Sequence, residues 1–131
     1  MLRDDPAATE LPRLAPVLRG DDLLAMRAAA ERVKFDDQLV AYLLEIVRAT
    51  REHPSFRLGA SPRGAVALRR IAQARALVDG RDYCIPEDVR DLAVGVLAHR
   101  VWLDPREAGG SASEEAEWIL RDILDGVAVP L

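Results

Sequence analysis

The chain has 131 residues, which is enough for one domain with a hydrophobic core of its own. Its 22 acidic residues outnumber its 18 Lys and Arg residues, and the net charge of −4 argues against strong nonspecific binding of nucleic acid, which depends on neutralising phosphates. The single cysteine, Cys84, excludes an internal disulfide and a metal site built from several cysteines. No apolar run is typical of a signal peptide or a membrane span, so we expect a cytoplasmic protein without membrane insertion.

The N-terminal part of the chain predicts a linker followed by a helical domain. Residues 1–20 carry three prolines among mixed charges and show no sustained periodicity, so we expect a linker there and the folded domain over residues 21–131. The first helix is predicted to begin after Gly20, with Asp21 as its cap. Its predicted buried stripe consists of Leu23, Met26, Ala30 and Val33.

The second helix has the clearest amphipathic pattern in the chain. It is predicted to run from an Asp36 cap to about Thr50, and Pro54 prevents it from continuing. Its predicted apolar face consists of Leu39, Val40, Leu43, Leu44, Ile46 and Val47.

Residues 58–64 predict a glycine-bearing loop and the start of a third helix. Ser61 suits the N-cap, and Pro62 suits the first helical position, where a missing N–H costs nothing. Arg63 then lies in the first turn, at the positive end of the helix dipole, where a cation is unfavourable unless an anion approaches. Arg63 is therefore a candidate anion-binding residue, although a solvated surface arginine is the alternative. The predicted buried side of this helix consists of Ala67, Leu68, Ile71, Ala72, Ala74 and Val78, with Gln73 among the polar positions.

Two more helices complete an all-α bundle of about five helices. Gly80 is expected to end the third helix in the left-handed conformation, and Pro86 opens a fourth helix that fades near Arg100. Ser111 and Glu114 fit a capping box before the last helix. Very short extended pieces are expected at residues 33–35 and 81–85. Trp102 and Trp118 are interpreted as core or domain-contact residues.

The sequence offers no complete catalytic set. It has no Gly-x-x-x-x-Gly-Lys-Ser/Thr loop to hold nucleotide phosphates. Neither His53 nor His99 has a second ligand at metal-binding spacing, so we expect no metal site. We therefore expect that this chain alone is not an enzyme.

Several motifs in one order resemble the C-terminal helical lid of MoxR-type AAA+ ATPases, a lid similar to that of magnesium-chelatase ATPase subunits. The motifs are His53-Pro54, Leu58-Gly59-Ala60-Ser61-Pro62-Arg63, Gly80-Arg81-Asp82-Tyr83, Pro86-Glu87-Asp88-Val89 and Leu97-Ala98-His99-Arg100. The resemblance covers residues 14 to 129 or so. Two positions depart from the family pattern, because Gly64 stands where Ala is frequent and Ile85 where Ser or Thr is frequent.

The resemblance implies a role in a larger ATPase. Arg63 occupies the place of the sensor 2 arginine, which reaches the β- and γ-phosphates of ATP, and Ser61 and Pro62 match the motif around it. Residues 1–20 correspond to the linker from a nucleotide-binding core that this chain lacks. The full-length protein is expected to bind ATP with Mg²⁺, to hydrolyse it, to form a hexameric ring and to act in chaperone-like remodelling beside von Willebrand factor A-domain partners. The isolated domain is expected to bind no nucleotide, or to bind it weakly.

Two other hypotheses remain open on the sequence. The chain could be a free-standing helical module that binds a protein partner through an apolar groove. It could also bind nucleic acid through its arginines, but these are spread around the third helix and the acidic total opposes that use. The arginines in question are Arg63, Arg69, Arg70, Arg75 and Arg81.

Overall fold

Five α-helices and one short antiparallel strand pair make up the part of the chain that the computed structural model describes, residues 14–104 and 111–130. In chain order the elements are α1 (Gly20–Glu31), α2 (Asp37–Glu52), β1 (Phe56–Leu58), α3 (Pro62–Val78), α4 (Pro86–Leu97), a 3₁₀ turn (Ala98–Arg100), β2 (Trp102–Leu103) and α5 (Ala112–Gly126). The predicted all-α bundle is confirmed. Most of the expected linker, residues 1–13, lies outside the described residues, so the linker assignment stays a prediction.

The core is formed where α2, α4 and α5 face one another and α3 packs along α4. The side chain of Asp36 accepts a hydrogen bond from the Leu39 N–H at 2.8 Å, which confirms the predicted cap of α2. Leu44, expected on the apolar face, is exposed instead because it lies at the edge of that face. The fully buried core residues include Ile46, Leu68, Val89, Leu97 and Leu120.

Helix α1 corrects the prediction for the first stripe. Leu23 and Met26 are 53% and 51% exposed, and α1 buries no residue at all. The cap is also different, because the Arg19 N–H donates to Asp22 at 2.9 Å while Asp21 makes no such bond. Helical spacing shows which side chains share a face, but a face is buried only if another element covers it. Among the described elements, only α3 makes extensive contact with α1, so most of the α1 surface stays uncovered.

Helix α3 keeps α1 in place through one buried amide. Gln73, expected at a polar position, is buried, and its Nε2 donates to the Val33 carbonyl at 2.7 Å and the Glu31 carbonyl at 3.4 Å. Ile71 and Val78, both expected on the buried side of α3, are instead 42% and 82% exposed. The helix ends as predicted, with Gly80 in the left-handed region at φ 77°.

Short extended pieces connect the helices. The Lys34 N–H donates to the Asp82 carbonyl at 2.8 Å and the Cys84 N–H donates to the Lys34 carbonyl at 2.9 Å, which confirms the predicted extended pieces on either side of this bridge. The pairing of β1 with β2 was not predicted. In it, Phe56 lies opposite Leu103 and Leu58 opposite Trp102.

The start of α5 corrects the predicted capping box. Ser111 stands at the N-cap position, but its hydroxyl accepts no hydrogen bond from the first turn. Ser111 and Glu114 are both exposed, so water can satisfy the first N–H groups of the helix and the box is not needed. Trp102 and Trp118 are 68% and 67% exposed, which removes them from the core of this domain and leaves domain contact as their interpretation.

Candidate functional site

The first turn of α3 has the local structure that the sequence predicts. Ser61 has extended backbone geometry at the N-cap, and its Oγ accepts a hydrogen bond from the Gly64 N–H at 3.3 Å. Pro62 occupies the first helical position. These two residues fix where the helix begins, and they therefore fix the position of Arg63 in its first turn.

The loop before α3 is fastened to the end of α2 by two side chains. Thr50 is completely buried, and its hydroxyl accepts from the Ala60 N–H at 2.9 Å while donating to the Val47 carbonyl at 2.7 Å. The Nε of Arg51 donates to the Ala60 carbonyl at 2.9 Å. Both polar groups of the Ala60 backbone are thus satisfied by consecutive residues of one helix.

Gly59 permits this close approach of loop and helix. A Cβ at this position would lie 2.6 Å from the Cα and N atoms of Arg51 and 2.6 Å from the carbonyl oxygen of Thr50. All three atoms belong to backbone, so a larger side chain would push the loop away from α2. Gly59 therefore helps to set the position from which α3 departs.

Arg63 points out of the domain rather than into it. It is exposed, and it makes no hydrogen bond or ion pair with any residue that the structure describes. Its charge lies beside first-turn N–H groups that also attract anions. The sequence-predicted residues Ser61, Pro62 and Arg63 thus form one continuous site, and its charge suits an anion supplied from outside the domain.

A second arginine lies against the same turn. Arg100 ends the 3₁₀ turn after α4, and its Cδ is 3.7 Å from the position that a Cβ on Gly64 would take. The Nε of Arg100 is buried and has no hydrogen-bond partner among the residues that the structure describes. Sequence reasoning placed Arg100 in a family motif but gave it no role, and it assigned nothing to Thr50 or Arg51, because the contacts of all three cross between separate elements.

The arginines of the nucleic-acid hypothesis are partly engaged within the domain. Arg81 forms a bidentate pair with Asp88, with both N–O distances at 2.7 Å, and Arg75 bonds Asp79 at 3.1 Å. The guanidinium of Arg69 lies 5.4 Å from the centre of the Phe35 ring. The described structure therefore offers no continuous stripe of free cations along α3.

The two histidines have ordinary surroundings. His53 ends α2, and its Nδ1 accepts from the Ser55 N–H at 3.3 Å. His99 is exposed on the 3₁₀ turn. Among the residues with described positions, no three His, Cys, Asp or Glu side chains are grouped to hold a metal ion. In the same part of the chain, every helix is too short or too polar to span a bilayer.

Comparison with known proteins gives a consistent set of matches. Residues 48–123 match the family model of the AAA lid domain. The uncharacterised protein YeaC of Bacillus subtilis is 42% identical over 118 residues, which cover 90% of this chain and 36% of YeaC. Chaperone MoxR1 of Mycobacterium tuberculosis is 32% identical over 128 residues, which cover 91% of this chain and 33% of MoxR1.

A solved structure agrees with the sequence matches. The crystal structure of a proposed ATPase from Cytophaga hutchinsonii superimposes with a TM-score of 0.75 and 33% identity, covering 85% of this chain and 36% of that chain. The chain thus spans about a third of the length of the curated relatives that it matches over most of its residues.

Proposed function

The chain belongs to the AAA lid domain family and, within it, to the MoxR type, and we propose a function on that basis. The proposal is that the chain closes over ATP bound to a nucleotide-binding core elsewhere in the same protein. The supporting observation is the exposed guanidinium of Arg63 at the start of α3, which is unpaired within the described part of the chain. We propose Arg63 as the sensor 2 arginine of that ATPase.

The residues at the start of α3 fit the phosphates of a nucleotide. A guanidinium offers forked donors and a permanent charge, which suit phosphate oxygens, and the first turn adds its own positive potential. Ser61 and Pro62 hold the helix start, so Arg63 would meet the phosphates from a fixed position. ATP bound with Mg²⁺ at the core would supply the phosphoryl group that is transferred to water.

The role of Arg63 in hydrolysis would be electrostatic. Positioning and charge stabilisation are the main protein contributions to phosphoryl transfer, and arginines supplied to that centre raise its rate by large factors. An arginine that interacts differently with ATP and with ADP also changes the preferred orientation of its domain. Through that difference the lid would couple nucleotide state to movement.

The wider activity of the protein follows from this proposal. MoxR1, which is 32% identical to the chain over the 128 matched residues, is named a chaperone, and we propose chaperone-like remodelling for the protein to which this lid belongs. Its proposed partners are its own core, further subunits in a hexameric ring, and von Willebrand factor A-domain proteins. We propose a cytoplasmic location.

The exposed apolar side of α1 favours a second candidate, a helical module that binds a protein partner. Leu23, Leu24 and Met26 are each more than half exposed on a helix that buries none of its residues. Such a surface often marks a protein contact. The two candidates differ over Arg63, because an interaction module has no need of its charge.

The test uses the complete protein that carries this lid. Arg63→Ala is expected to lower ATP turnover at least about tenfold, equal to ~1.4 kcal/mol of transition-state stabilisation. Arg70→Ala is the matched control, because Arg70 is also exposed and lies two turns further along the same face of α3. The thermal midpoints of both variants should equal that of the parent, and unchanged turnover in Arg63→Ala would remove Arg63 from the mechanism.

A separate titration tests whether the core is needed. The isolated 131-residue chain has no phosphate-binding loop, so calorimetry with ATP is expected to show no binding in the micromolar range. Micromolar affinity of the isolated chain for ATP would contradict the proposal that tight ATP binding requires the core.

A further inference from the structure

The side chain of Arg100 has a buried hydrogen-bond donor that no described residue satisfies. Its stem lies against the first turn of α3, with Cδ 3.7 Å from the Cβ position of Gly64. Its Nε is buried and finds no hydrogen-bond partner within residues 14–104 and 111–130. Among the described residues, no carboxylate forms an ion pair with Arg100.

An unpaired buried donor of a charged group costs stability, because the water that it lost has not been replaced. Natural domains leave few such groups, and the exceptions often mark functional positions. A simple structural role would be served as well by an apolar side chain of similar length, which would pack along Gly64 and Leu97 without the buried Nε. A cation at the C-terminal end of α4 is favoured by the helix dipole, but neither the dipole nor the packing of the described residues gives the buried Nε an acceptor.

The position of Arg100 relates it to Arg63. Gly64 directly follows Arg63, so the stem of Arg100 passes the same helical turn that carries the sensor 2 candidate. A polyphosphate presents several negative oxygens, so it can accept hydrogen bonds from more than one guanidinium.

We propose that Arg100 supplies a second guanidinium to the phosphates that Arg63 binds, so that the lid grips the nucleotide with two arginines from different helices. This inference rests on the function proposed above. Arg63 would reach the phosphates from the start of α3, while Arg100 would reach them from the 3₁₀ turn after α4.

The experiment separates charge from packing in the complete protein. Arg100→Met keeps an apolar stem of similar reach and removes the guanidinium, whereas Arg100→Lys keeps a positive charge. For each variant, and for Arg63→Ala and Arg70→Ala, three quantities are measured: the dissociation constant for ATP, kcat with KM, and the thermal midpoint without nucleotide.

We expect Arg100→Met to weaken ATP binding and to lower kcat/KM at least about fivefold, with a thermal midpoint equal to or above that of the parent, since it removes an unsatisfied buried donor. Arg100→Lys should recover part of the lost affinity. If Arg63→Ala loses ATP affinity and turnover while Arg100→Met keeps the parental values, this inference is overturned and the proposed lid function stands. Parental values in both variants would contradict both proposals.

A fall of the thermal midpoint in Arg100→Met, together with an equal loss in Arg100→Lys, would also overturn the inference, because that pattern belongs to a packing role. Arg70→Ala should match the parent in all three measurements.

Discussion

The hydroxyl of Thr50 accepts a hydrogen bond from the Ala60 N–H across 2.9 Å, and this contact joins the end of α2 to the loop that opens α3. Thr50 is completely buried, so water cannot take its place. The bond helps to set the position of Arg63, because only Ser61 stands between Ala60 and the first turn of α3.

Replacing Thr50 by Val keeps the shape of the side chain and removes the hydroxyl. The Ala60 N–H then stays buried without a partner, and we expect the free energy of unfolding to fall by about 1–3 kcal/mol. Urea denaturation of the chain measures this loss. Thr50→Ser retains the hydroxyl and should cost only about 0.8 kcal/mol for the lost methyl group. A Val variant as stable as the parent would show that the bond contributes nothing.

Gly59 and Gly95 form a matched pair for testing the close approach of loop and helix. Gly59→Ala forces a Cβ to within 2.6 Å of three backbone atoms, so we expect destabilisation by about 1–3 kcal/mol. Gly95 is exposed inside α4, and a Cβ there meets nothing within 4 Å. Gly95→Ala should therefore stabilise the chain by about 0.5–1 kcal/mol. Denaturation midpoints that shift in the same direction for both variants would contradict the contact described for Gly59.

Asp88 predicts a dependence of stability on pH. Burial alone would raise the pKa of this carboxyl, but the Arg81 guanidinium and the Ile85 N–H outweigh burial and hold the pKa below its usual value. A lowered folded-state pKa stabilises the fold above the unfolded pKa of about 3.9, and this contribution is lost as the pH falls through the folded value.

The variant Asp88→Asn tests that dependence. At pH 7 it should lower the free energy of unfolding by about 1.5–3 kcal/mol, because hydrogen bonds to a buried charge are lost. The difference between parent and variant should shrink as the pH falls below about 3.9, because the carboxyl of the unfolded parent then binds a proton while the folded carboxyl still resists protonation. Urea titrations at pH 7 and pH 3 measure both differences, and a gap that is equal at the two values would exclude the ion pair as its source.

Cys84 is expected to be unreactive in the folded chain. Burial, with a smaller effect from nearby Asp88, raises the pKa of its thiol to about 11. Only the thiolate reacts readily, and the side chain is also shielded from reagents. At pH 8 a thiol-specific chromogenic reagent should label the native chain slowly and the chain in concentrated urea rapidly. Equal rates would contradict the burial of Cys84.

Some residues of the candidate site could be predicted from the sequence and others could not. Ser61, Pro62 and Arg63 were identified from neighbouring residues in the sequence, and the helix start that they define is present. Arg51 and Arg100 carried no comparable signal, because each reaches the site from another helix. Whether a polar side chain finds a partner across the fold depends on packing that no local pattern records.

The sequence by itself determined the local features: the Asp36 and Ser61 caps, the left-handed Gly80 and most of the amphipathic face of α2. Each depends on backbone geometry and on residues within about one helical turn. Only the tertiary structure decided that Leu23 and Met26 stay exposed, that Gln73 is buried, and that Thr50 holds the loop before α3. Burial and long-range hydrogen bonding require a second element to pack against the first, and local sequence patterns do not specify which elements pack together.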